Sequence, residues 1–173
     1  MKHKNEPKIP GIMKRSINRR GAIKMMTAST GICLAGQTVS RAVDSPNEKL
    51  NVALIGIGGQ GGSNLRRVSS QNIVALCDAD EKRAATGFGQ FPKVAKFSDY
   101  RVMFDKMEKD IDAVVVSTPD HTHFNPSMIA MSLGKHLYCE KPMAHNVWQV
   151  RKMTELAAKN NLATQLGVQR HTI

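Results

Sequence analysis

The run Gly56-Ile57-Gly58-Gly59-Gln60-Gly61 has the spacing G-x-G-x-x-G, and Gly62 follows directly. Glycines at this spacing permit a tight turn and let backbone come close to a pyrophosphate. A helix starting there adds free N–H groups and a dipole that favours negative charge. Asp78 stands 22 residues after Gly56. A carboxylate at that separation can accept hydrogen bonds from the hydroxyls of an adenosine ribose. It also repels the extra phosphate of NADP, and Asp80 adds to the repulsion, so the pair favours NAD. A second role for Asp78, capping a helix that starts near Glu81, is compatible with the first.

Other reactive residues give weaker signals. His121 and His123 form H-x-H, a spacing that can hold a metal. No Cys/His/Asp cluster completes a tetrahedral site, so no metal is expected. One histidine is expected to cap or line the cofactor cleft and the other to face solvent. The three cysteines are too few for a disulfide scaffold.

These residues need elements to position them. Leu50–Ile57 is a short apolar run ended by glycine, which predicts a buried strand. Further strands are predicted at Asn72–Cys77, Val94–Phe97, Asp112–Ser117, His136–Cys139 and Ala163–Gly167. Helices are predicted between them, at Gln60–Ser70, Glu81–Gly89, Asp99–Lys109, Thr122–Leu133 and Asn146–Asn160. In the third helix Tyr100, Met103, Phe104 and Met107 recur at helical spacing behind Asp99, a good N-cap. In the last, Val147, Val150, Met153, Leu156 and Ala157 form one face. Six strands alternating with five helices predict an α/β fold, a Rossmann-type doubly wound parallel sheet. Strand order 3-2-1-4-5-6 would put Cys77 and Cys139 about 14 Å apart, three strand spacings. That is beyond disulfide reach, so both are expected free and mostly buried.

The charge needs its own reading. The chain has 173 residues and a formal net charge of +11. Taken whole, that suggests nucleic acid or an anionic membrane. Residues 1–49 carry ten Lys/Arg and three Asp/Glu, leaving +4 on the remainder, ordinary for a soluble domain. Met1–Lys24 is basic, Met25–Gly36 is uncharged and mildly apolar, and small residues follow. This is the order of an export signal. Arg19 and Arg20, with Ile23 and Lys24 after them, resemble a twin-arginine signal that would engage the twin-arginine translocation machinery. Residues 1–48 are therefore expected to be a disordered or helical export leader with its linker. Residues 49–173 would form the folded domain, in the periplasm or otherwise outside a bacterial cytoplasm. No stable membrane anchor and no nucleic-acid role are expected.

The span Val114–Pro142 carries T-P-D-x-x-H, then A-x-x-x-G-K-H, then E-K-P. With the glycine run, it closely resembles the Gfo/Idh/MocA family of sugar and polyol oxidoreductases. The resemblance covers about Leu50–Arg170. It implies that Gly56, Gly58, Gly59, Gln60, Gly61 and Asp78 bind NAD. Ser117, Thr118 and Pro119 would line the adenosine and ribose side of the cleft. Asp120 stands where many members have Asn, and His123 matches the histidine that opens the next helix. Glu140 would bond the nicotinamide-side ribose. Lys141 would face the nicotinamide and the substrate hydroxyl, as cofactor contact and catalytic residue, aimed by a cis peptide before Pro142.

The resemblance also implies a larger substrate domain after this point, and none of it is in the sequence. The expectation is the cofactor half of an exported enzyme that moves hydride between NAD and a sugar or polyol. Alone, it would bind NAD weakly or not at all, turn over little or nothing, and associate with other copies through its uncovered face. An NAD-dependent glycosidase of the same family, or a non-catalytic NAD-binding fragment, would have the same sequence features.

Overall fold

The computed structural model describes residues 49–168. The leader, with Arg19 and Arg20, and Gln169–Ile173 lie outside the described residues. The sheet has six strands in the order β3-β2-β1-β4-β5-β6, as the sequence predicts. They are β1 (Asn51–Ile55), β2 (Asn72–Cys77), β3 (Ala95–Phe97), β4 (Ala113–Val116), β5 (His136–Glu140) and β6 (Thr164–Gly167). Every pairing is parallel.

Parallel strands need long crossovers, and helices supply them. These are α1 (Gln60–Arg67), α2 (Glu81–Gln90), α3 (Tyr100–Met107), α4 (Phe124–Ser132) and α5 (Val147–Lys159). They cover both faces, so the strands read as continuous apolar runs. On one face Val52, Leu54, Leu76 and Val115 pack against Leu65 of α1 and Ala84 of α2. On the other, Ile55, Val114, Val116 and Leu137 pack against Met103 and Phe104 of α3, Met131 of α4 and Met153 of α5.

Most element ends shift by one to three residues from the sequence reading, and three departures have a physical cause. β1 stops at Ile55, because Gly56 turns the chain at φ +80°. The fourth helix starts at Phe124, and Asp120–Thr122 form a separate 3-10 turn after Pro119. Val147 does not join the buried face of α5 and is 66% exposed beside Trp148. At 100° per residue it falls off the stripe made by Val150, Met153 and Ala157.

Strand register decides what meets at the end of the sheet. Ile55 pairs with Cys77 and with Val116, and Val116 pairs with Cys139. One row of residues thus crosses four strands. The residues that follow it are Gly56, Asp78, Ser117 and Glu140. They reach the same edge together, at the carboxyl ends of the strands.

That row also holds both cysteines. Cys77 and Cys139 are free and buried, with β1 and β4 between them. Burial pushes the Cys77 thiol up to about 12, helped by the nearby Asp78 and Asp99 charges. Burial likewise pushes Cys139 up to about 11, a bond with Ser127 opposing it in part. A thiol whose value is raised by folding holds its proton more tightly folded than unfolded. Its contribution to stability is complete below the unfolded thiol value and is lost as pH rises through the folded one. Urea midpoints should therefore hold to about pH 8.5 and fall beyond it. A midpoint that stays level to pH 11 would contradict this placement of the two thiols.

Candidate functional site

The glycine turn joins β1 to α1. Gly56 adopts φ +80°, and a Cβ on it would lie 2.7 Å from the Ser117 carbonyl carbon. A Cβ on Gly61 would overlap the Gly56 carbonyl oxygen. The turn is thus closed by backbone packing against backbone, which no side chain can join. Gly59 sits at the helix N-cap with φ 52°. No side chain caps α1 there, whereas Asp80, Asp99 and Asn146 cap α2, α3 and α5. The Gly61 N–H donates to the Gly58 carbonyl oxygen at 3.0 Å, and no side chain caps the rest of this helix start, the usual setting for an anion.

Asp78 is built into this turn. Its Oδ2 accepts from the N–H groups of Ile57, at 2.8 Å, and Gly58, at 3.2 Å. Its Oδ1 accepts from the Asp80 N–H at 3.0 Å. A carboxylate has about four acceptor sites, so Oδ1 retains one for a further donor. The capping role belongs to Asp80, whose Oδ1 accepts from the Arg83 N–H at 3.0 Å.

A cleft of 790 Å³ opens beside the turn. Gly56, Gly58, Gln60, Asp78, Ser117, Thr118 and Pro119 are among its walls. Thr118 supplies an unusual group there: its Oγ1 is buried without a hydrogen-bond partner. Such a group carries a desolvation cost that a bound polar ligand would remove.

The structure adds wall residues that sequence reasoning missed. Arg83, Ser98, Asp99, Tyr100 and Arg101 line the cleft. The Arg83 guanidinium hangs near Gly59, 3.9 Å from where a Cβ would be. This places a cation over the phosphate turn. Arg101 is tied to Asp99, with Nη2 2.7 Å from Oδ2, and its guanidinium lies over the Tyr100 ring. The Arg101 bonds hold the Asp99 carboxyl below the usual carboxylate range. From sequence Asp99 and Tyr100 read only as a helix cap and a core face, because helical spacing does not reveal a first turn at a cleft edge.

Glu140, Lys141, Asp120 and His123 do not line this cleft. Glu140 is buried, and its Oε1 accepts from Asn64 Nδ2 at 2.8 Å and from Gln60 Nε2 at 3.3 Å. Lys141 is exposed, just beyond β5, and the Lys141–Pro142 peptide is cis. Asp120 and His121 are exposed in the 3-10 turn.

His123 is 1% exposed and braces the two loops instead. Its Nε2 lies 2.7 Å from the Thr118 carbonyl oxygen and its Nδ1 2.6 Å from the Pro142 carbonyl oxygen. A ring with a proton on each nitrogen donates to both; with one proton it satisfies one. His123→Ala should cost about 2–4 kcal/mol, from the lost donors and the cavity left behind. Urea unfolding measures this, and a cost under about 0.5 kcal/mol, the range of an ordinary surface change, would contradict the brace. His121 and His123 diverge, one exposed and one buried, and no group of three or more His, Cys, Asp or Glu among the described residues could hold a metal.

A family model described as an oxidoreductase family with an NAD-binding Rossmann fold matches residues 50–168. The chain belongs to the Gfo/Idh/MocA oxidoreductase family. Inositol 2-dehydrogenase of Salmonella typhimurium is 29% identical over 127 residues, which are 70% of this chain and 37% of that protein. A glycosyl hydrolase family 109 protein of Solibacter usitatus is 30% identical over 164 residues, 83% of this chain and 37% of that protein. The structure of myo-inositol 2-dehydrogenase from Lactobacillus plantarum superposes with a TM-score of 0.66 at 24% identity, over 73% of this chain and 38% of that one. This Gfo/Idh/MocA chain thus spans well under half the length of these relatives.

Proposed function

We propose that this chain supplies the NAD-binding half of an exported oxidoreductase that moves hydride between NAD and a sugar or polyol. The observation that carries the proposal is the cleft at the row's end. It combines an uncapped helix start at the glycine turn, Asp78 with an acceptor site to spare, and the unpartnered Thr118 hydroxyl. These three fit a pyrophosphate, a ribose hydroxyl and a further polar group of one dinucleotide.

In this reading the glycine turn, the α1 N-terminus and Arg83 hold the pyrophosphate. Asp78 takes a ribose hydroxyl, and with Asp80 keeps the charge against NADP. Ser117, Thr118 and Pro119 line the wall, and Glu140, buried outside that wall at the end of the same strand row, takes the nicotinamide-side ribose role that the family resemblance implies. The bound dinucleotide supplies the hydride chemistry. Lys141 polarises the substrate oxygen and exchanges its proton. The export reading rests on the charge order around Arg19 and Arg20.

One observation favours a second reading. The glycosyl hydrolase family 109 relative aligns over more of this chain than the dehydrogenase does. NAD-dependent glycosidases are an exception to two-carboxylate hydrolysis. The enzyme purified from its source separates the two. Reduced NAD formed in step with sugar or polyol oxidation supports the oxidoreductase. Glycoside cleavage with no net reduced NAD supports the glycosidase.

A further inference from the structure

Asn64 was invisible as a site residue in the sequence, yet it sits where three elements converge. It lies on α1, one turn after Gln60, and is 3% exposed. Its Nδ2 donates to Glu140 Oε1 at 2.8 Å and to Ser117 Oγ at 2.9 Å, which uses both amide hydrogens. Its Oδ1 accepts from Gln60 Nε2 at 3.4 Å. The same Glu140 oxygen also accepts from Gln60 Nε2 and from the Tyr138 hydroxyl, each at 3.3 Å. Gly167 packs closely behind, where a Cβ would come 2.9 Å from the Glu140 carboxyl carbon.

A carboxylate on a free glutamate turns easily about its last torsion, whose energy profile is broad and shallow. Here donors converge on one oxygen and stop that rotation. The strongest of them comes from the helix that carries the phosphate turn. One buried amide thus links the phosphate helix, the end of β4 and the end of β5.

We propose that Asn64 is a positioning residue that fixes the Glu140 carboxylate for the nicotinamide-side ribose. The inference rests on the NAD reading of the site. Asn64 reaches the nicotinamide side through Glu140, its shortest bond, and touches the adenosine and ribose wall only through the Ser117 hydroxyl. Asp78 at the adenosine ribose and Arg83 at the pyrophosphate make no bond to it.

ADP and NAD as paired ligands test this, because ADP lacks the nicotinamide nucleoside. Titration calorimetry on the full chain would compare the wild type with Asn64→Leu, which has similar size and no donor. The expected result is a loss of about tenfold or more in NAD affinity, with ADP affinity held within about twofold, as for one lost charge-assisted bond. A parallel fall for both ligands would show a merely structural role and overturn the proposal. No fall for NAD would overturn it as well. A wild-type chain that binds neither ligand would overturn the NAD reading itself, a different result from either.

If Asn64→Leu loses its fold by circular dichroism, Asn64→Asp decides. It keeps the size of the side chain but sets an acceptor against the Glu140 acceptor. Its NAD affinity is expected to fall at least about fivefold more than its ADP affinity. Equal falls for both ligands, or no fall for NAD, would overturn the proposal.

Discussion

A chain carrying Gly61→Ala is expected to lose NAD binding by about 100-fold or more, since a displaced turn forfeits several phosphate hydrogen bonds together. The added methyl would overlap the Gly56 carbonyl oxygen, and Ser117 Cβ lies 3.3 Å away. Neither neighbour can yield cheaply. Gly56 is itself wedged against the Ser117 backbone at a positive φ. The helix start must therefore move away from β1, and its N–H groups leave the position that faces the cleft. Such overpacking also costs about 1–3 kcal/mol of stability. Titration calorimetry with NAD, together with a melting curve, reads both effects. Wild-type NAD affinity in a folded Gly61→Ala chain would contradict a turn closed by backbone packing.

The second large effect is expected at Asp78. Its carboxylate does two things, one inside the protein and one toward the ligand. Inside, it ties the Ile57 and Gly58 N–H groups, so it shapes the phosphate turn. Toward the ligand, it offers a ribose acceptor and a negative charge. Asp78→Ala removes all of this, and NAD affinity should fall by about 10- to 100-fold, for one to two charge-assisted hydrogen bonds. Asp78→Asn separates the roles. Its carbonyl oxygen can still accept from the turn, while the charge is gone. NAD should weaken by less than in Asp78→Ala, and the preference for NAD over NADP should narrow by about tenfold as the phosphate repulsion drops. An unchanged preference in Asp78→Asn would mean that this charge does not select the cofactor.

Much of the fold was legible because the apolar runs are short and regularly punctuated. β2 is bounded in the structure as the sequence reads it, Asn72–Cys77. The errors came where a single residue overrides periodicity. Gly56 ends β1 early through its backbone conformation, not its hydrophobicity. Pro119 starts a 3-10 turn that delays α4. Val147 is apolar but starts its helix off the buried stripe.

The site was legible in part, for a related reason. Gly56, Asp78, Ser117 and Glu140 come from separate segments, each next to a strand end. Only the register of Ile55, Cys77, Val116 and Cys139 brings them to one edge. Linear spacing suggested the row but could not show the pieces between its members. Asn64 looks like an ordinary polar helix residue until its amide is seen between Ser117 and Glu140. Arg83 looks like a surface arginine until the α2 start places it beside Gly59. His123 matched a family position, and its burial shows that it ties Thr118 to Pro142.

Residues 56–141 are expected to hold NAD at the carboxyl edge of the sheet and to select it over NADP. Titration calorimetry of the full chain with NAD and with NADP tests it most directly. The sequence alone leaves NAD binding by this half open to loss, but the glycine turn, Asp78 and the cleft are already formed within it. The expected result is therefore weak but saturable binding of one NAD per chain, with NADP weaker by about tenfold or more, the discrimination that one unfavourable charge contact supplies. A folded chain that binds no NAD at millimolar concentration, or that binds NADP as well as NAD, would contradict it.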